Sequence, residues 1–171
     1  ELWKQRGWID DNEVREIKTH HGAFSVTPRK GLRVVSLNTD FWYQYNFYAY
    51  INSANPDFSG MLRFLTDELL DAEKDGDRVW IVGHVLTGWN GKEALASPTN
   101  LFYQIVSRFA PHTLGAIYFG HTHEDQFEVF YFNDNGNDKS TDQSTEKAVS
   151  IAYIAPSITP YQNLNPTFRV Y

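Results

Sequence analysis

The sequence predicts an α/β domain in which a mixed β-sheet is flanked by helices. Three observations carry that prediction. Apolar, β-branched runs of five to eight residues recur along the chain. Two segments with helical period separate the runs in the middle, and strands dominate the end. That order argues for mixed pairing rather than an all-parallel sheet.

Taken in order, "DDNEVREIK" opens on Asp10 and Asp11 and reads as a surface helix with acids in its first turn. "GAFSV" and "GLRVVSLN" are strands, with Pro28 to Gly31 as the hairpin turn between them. Leu62, Leu65, Leu69 and Ala72 recur at threes and fours among acidic residues. They mark an amphipathic helix begun by Ser59 and stopped by Gly76. "RVWIVGH" is a fully apolar strand. A second helix runs from about Ser97 to Phe109, with Pro98 in its first turn. "LGAIYFGH", "QFEVFYF", "AVSIAYIA" and "FRVY" are four further strands. The polar stretch from Asn133 to Lys147 is an exposed loop.

Composition narrows the function. The 171 residues suit one domain with one core. Lysine and arginine number 15 against 21 acids, a net charge of −6, and no basic stretch offers a nucleic acid an electrostatic footprint. Cysteine is absent, so disulfides and thiolate sites are excluded, and a metal must use His, Asp, Glu or Asn. No apolar run is long enough to span a membrane, and no stretch of these residues reads as a signal peptide. The first residues, "ELWKQRGWIDDNEV", read like the middle of a protein, so a segment of a longer chain is expected.

The chemistry concentrates at two strand ends. Gly83-His84 closes "VWIVGH", and Gly120-His121 closes "GAIYFGHTH", which continues to His123. The carboxyl edge of an open α/β sheet is where ligands gather, and neutral imidazole suits zinc, manganese or iron. His20, His21 and His112 lack that setting and read as surface residues. "FWYQYNFYAY", Phe41 to Tyr50, packs seven aromatics into ten residues. It reads as core packing rather than as a wall for a lipid or a quaternary ammonium group. "APSITPYQNLNP" is a proline-bounded loop after a strand.

"IVGHVLTGWN" and "FGHTHEDQFEVFY" resemble the last two metal-binding motifs of the calcineurin-like metallophosphoesterases. With "GLRVVSLNTDF", "INSANPDFSGMLRFLTDEL" and "IAPSITPYQNLNPTFRVY", the likeness is closer to the acid sphingomyelinase-like phosphodiesterases, covering Gly31 to Tyr171. The resemblance implies that His84 and His121 bind one metal and His123 a second, in a centre of two divalent ions, usually zinc. It implies that Tyr161 lines the substrate site. It also implies hydrolysis of a phosphodiester lipid such as sphingomyelin, transient contact with a membrane surface, and a secreted or lysosome-like setting. Relatives that cut nucleotides or polyphosphate share the histidines, and an inert binding module is the alternative outside enzymes. The family's Asp-x-His, Gly-Asp-x-x-Asp and Asn-His motifs do not occur here, and Val85-Leu86-Thr87-Gly88 replaces the rigid pair that follows its Gly-His. Residues 1–171 are therefore expected to be the C-terminal part of a phosphoesterase domain in its αββα fold, inactive alone.

Overall fold

The structure, a computed structural model, describes residues 2–88, 93–132 and 143–171. Trp89 and Asn90 of the first motif, and the polar stretch as far as 142, lie outside the described residues. A short helix α1 (Leu2–Gln5) precedes α2 (Asp11–Thr19). Asp10 caps α2, accepting from the amides of Asn12 and Glu13, while Glu13 returns a carboxylate to the Asp10 amide. This reciprocal pair satisfies donors that a helix start leaves open.

β1 (Phe24–Arg29) and β2 (Leu32–Ser36) form an antiparallel hairpin. The strand runs through Pro28, which the sequence assigned to the turn; β1 is an edge strand, where a missing N–H costs no ladder bond. α3 (Met61–Asp75), β3 (Arg78–Val82), α4 (Ala96–Phe109), β4 (Leu114–Phe119), β5 (Gln126–Tyr131) and β6 (Ala148–Ile154) follow. The sheet order is β1-β2-β3-β4-β6-β5, with parallel pairing from β2 to β6 and antiparallel strands at both edges.

α3 starts on Gly60, in the left-handed conformation, rather than on Ser59. Its cap is supplied from further back: the Asp57 carboxylate accepts from the amides of Leu62 and Arg63, at 3.0 and 2.9 Å. Leu65, Leu69 and Ala72 of α3 are fully buried, each leucine contributing about 1.5–3 kcal/mol. They pack with Phe102 and Val106 of α4 over the sheet face formed by Val35, Val79, Ile81, Ile117, Ala152 and Ile154. Arg33 ties β2 to α3 through Glu68 and Asp75, at 3.0 and 3.1 Å.

The opposite sheet face differs from expectation. β3 is apolar but alternates in burial, with Trp80 36% and Val82 38% exposed. Trp80, Tyr118 and Tyr153 form a ladder of rings across this face. "FRVY" is not a strand. Tyr171 packs on Tyr118 and Tyr153, and Arg169 pairs with Asp125, while Phe168 and Val170 point outward.

Parallel pairing has one consequence for function. β2, β3, β4 and β6 all end at the same sheet edge, so the residues after Ser36, Val82, Phe119 and Ile154 meet there.

Candidate metal centre

The turn after β2 sets the first histidine. Thr39 is 1% exposed, and its hydroxyl oxygen accepts from the amides of His84 at 2.9 Å and Val85 at 2.7 Å. The Trp42 indole N–H donates to the Val85 carbonyl at 2.9 Å. Gly83 is required here, because a Cβ would stand 2.6 Å from Thr39 Cγ2 and 3.0 Å from Phe119. The Gly83 amide donates to the Tyr118 carbonyl and the Gly120 amide to the His84 carbonyl, at 2.9 and 3.0 Å. The two Gly-His tips are thus stitched together.

The second tip is strained. His121 and His123 both adopt positive φ, at 81° and 65°. A left-handed conformation costs a residue with Cβ about 1–2 kcal/mol, and such residues gather where function demands them. The result places His121 Nδ1 3.3 Å from His84 Nε2, with the rings nearly perpendicular. Two nitrogens bound to one tetrahedral zinc at about 2.0–2.1 Å stand about 3.3–3.4 Å apart, so the pair has the separation of co-ligands. Burial, with the neighbouring His121 second, holds His84 below the usual imidazole value. That favours the neutral form a metal needs.

His123 stands apart, its ring edge toward Tyr161 with centroids 5.7 Å apart. Its Nδ1 is buried with no hydrogen-bond partner among the described residues, an orphan that a ligand would satisfy. Tyr161 is itself 58% exposed at the edge, in the loop after β6. His84 and His121 therefore meet, and His123 does not join them. Among the described residues, no three His, Asp, Glu or Cys side chains converge as a metal site. His20, His21 and His112 lie elsewhere: His20 stacks on Phe64, His21 packs against Phe41, and His112 is exposed.

Three residues escaped the sequence reading. Thr39 is one. Glu93 is another, its Oε2 lying 2.9 Å from His121 Nε2. Glu128 on β5 is the third, half-buried behind Gly88 and pushed up to about 7 by burial. A signal existed for Glu128. It is two residues from the buried Phe130, so a strand's alternation turns it inward. The aromatic stretch divides: Trp42 is buried, Phe41 and Tyr43 pack against the core, and Tyr45, Phe47, Tyr48 and Tyr50 are exposed.

Comparison with known proteins bears on this edge. No family model matches the chain. It is 39% identical over its full length to a sphingomyelin phosphodiesterase of Bos taurus, and 38% identical over 96% of its length to that of Homo sapiens. Sphingomyelin phosphodiesterase 2 of Caenorhabditis elegans is 34% identical over the full chain. The chain spans about a quarter of these relatives, 24%, 23% and 25% respectively. A dimetal phosphatase from Danio rerio shares the fold, with a TM-score of 0.50 over 78% of this chain and 48% of that one, at 11% identity. Likeness to these phosphodiesterases across the whole of this chain, on a fold shared with a dimetal phosphatase, supports the acid sphingomyelinase-like branch of the metallophosphoesterases.

Proposed function

We propose that these residues form the C-terminal part of a dimetal phosphodiesterase that cleaves sphingomyelin to ceramide and phosphocholine. The carrying observation is the 39% identity to a sphingomyelin phosphodiesterase across the whole chain. His84 Nε2 and His121 Nδ1 would hold one ion and His123 the other, with zinc matching the all-nitrogen donors. When bound, the ions supply Lewis acidity toward water and the phosphoryl group. The chain's own part is positional. Thr39 and Gly83 hold the His84 tip, the strained turn at His121 aims its ring, and Tyr161 borders the space beside His123.

In the family the Asp-x-His, Gly-Asp-x-x-Asp and Asn-His motifs carry the bridging carboxylate and the remaining ligands, so residues 1–171 by themselves should be inactive. Tyr45 packs on Tyr43, whose ring meets His121 with centroids 4.8 Å apart, and the exposed Tyr45, Phe47, Tyr48 and Tyr50 offer apolar surface for transient contact with a lipid layer. Among the described residues no helix is long and apolar enough to cross a membrane. A secreted or lysosome-like setting follows the family.

The test uses the protein that joins these residues to the upstream motifs. His121→Ala should remove one zinc equivalent by elemental analysis and nearly abolish sphingomyelin hydrolysis. Retention of both refutes the ligand assignment. Hydrolysis of nucleotides or polyphosphate in preference to sphingomyelin refutes the substrate. Residues 1–171 alone should hydrolyse bis-p-nitrophenyl phosphate no faster than a zinc blank.

A further inference from the structure

We infer that Glu93 is a positioning residue that locks the His121 ring in one tautomer, with Nε2–H held by its carboxylate and Nδ1 left open toward His84. The inference rests on the proposed role of His121 as a metal ligand.

An imidazole has two nitrogens, and whichever is hydrogen-bonded decides which lone pair remains. Glu93 Oε2 lies 2.9 Å from Nε2 of His121, and both side chains are largely sheltered, at 24% and 18% exposure. An acceptor-only carboxylate fixes the proton on Nε2. Nδ1 is then the free nitrogen, and it is the one 3.3 Å from His84. A carboxylate behind an imidazole behind a metal is a recurrent way to orient a ligand and raise its basicity.

The backbone that carries Glu93 is itself held. Its carbonyl accepts from the Gln44 amide at 2.9 Å, Ala94 bridges Tyr43, and the Leu95 amide donates to the Trp42 carbonyl at 2.7 Å. Trp42 is the buried residue whose indole also anchors the Val85 carbonyl. One residue therefore fixes both the His84 loop and the segment behind His121. Tyr43 adds its ring edge-on to His121, at 77° between planes. A strained φ of 81° at His121 makes such support necessary. Among the described residues His123 has no equivalent, and its Nδ1 has no hydrogen-bond partner there.

Long-range ¹H–¹⁵N correlation spectra of the metal-free 171-residue chain, labelled at histidine, read the tautomer directly. Peaks are assigned by their loss in His121→Gln. Wild type should show His121 as the Nε2–H form alone. Glu93→Ala should give a tautomer mixture, and Glu93→Gln, which keeps an acceptor oxygen, should restore the single form. Zn²⁺ titration of the protein that joins these residues to the upstream motifs, carrying the same substitutions, should show affinity at least ten-fold lower in Glu93→Ala, with most of the loss recovered in Glu93→Gln. An Nδ1–H or mixed form in wild type, an unchanged tautomer in Glu93→Ala, or unchanged zinc affinity there overturns the inference. If Glu93→Ala does not fold, a wild-type-like spectrum and affinity in Glu93→Gln support it, and a mixture in that variant overturns it. A locked tautomer together with no zinc uptake by the protein that carries the upstream motifs overturns the metal reading on which the inference rests, and the positioning role with it.

Discussion

The hydroxyl of Thr39 accepts from the main-chain amide of His84 at 2.9 Å, across 45 residues of sequence. The same oxygen accepts from Val85 at 2.7 Å. A buried side chain on one strand's exit thus sets the height of an imidazole on the next. Thr39→Val keeps the shape and removes the acceptor, leaving two amides unsatisfied. Urea unfolding should show a loss on the order of 2–3 kcal/mol. Thr39→Ser keeps the oxygen and should lose only about 1 kcal/mol for the missing methyl. Equal losses in the two variants would remove the hydrogen bonds from the account.

Gly83 depends on the same threonine. An added Cβ falls 2.6 Å from Thr39 Cγ2, a distance that forces a shift. Gly83→Ala should cost about 1–3 kcal/mol by overpacking. Thr39→Ser deletes that methyl, so alanine at 83 should cost less in the serine background. The double-mutant cycle is expected to show at least about 0.5 kcal/mol of favourable coupling. Additive losses would place the obstruction on Phe119 instead, 3.0 Å from the same point.

The start of α3 makes a third test. Asp57 accepts from two open amides of the first turn, whereas Ser59 accepts from Met61 at 3.3 Å. Asp57→Ala should destabilise by about 1 kcal/mol. Ser59→Ala should change stability by less than about 0.5 kcal/mol. The reverse ranking in denaturant unfolding would restore the cap to Ser59.

These contacts mark what a sequence shows and what it hides. The strands from Phe24 to Ile154 were legible because β-branched runs between turn residues reflect local preference. The Gly-His tips were legible because glycine and histidine adjoin in the chain. Asp57 was missed because its carboxylate reaches five and six residues forward, past the nearer serine. Thr39 and Glu93 were hidden for a stronger reason. Their partners lie 45 and 28 residues away, and only the parallel order of β2, β3 and β4 brings them to one edge. "FRVY" misled because a short apolar run reads as a strand, whereas here Phe168 and Val170 face outward and the segment is held by the ring contacts of Tyr171 and the Arg169–Asp125 pair.

Glu128 carries a prediction about pH. Burial pushes its carboxyl from an ordinary 4.5 up to about 7. Below about pH 4.5 the folded and unfolded chains both hold the proton, and burial costs nothing in charge. Between about 4.5 and 7 the unfolded chain has released it while the folded chain retains it, so stability falls as pH rises. Above about 7 both are ionised and the whole penalty applies, on the order of 3 kcal/mol. Glu128→Gln removes the ionisation at nearly constant shape. Its stability relative to wild type should climb from about pH 4.5 to 7 and then level off, as read by urea unfolding at stepped pH. Asp10, Asp71 and Glu73 are shifted downward instead, so their contributions fall at lower pH and cancel in the difference. A difference that is flat across this window would show that Glu128 is charged and solvated in the folded chain.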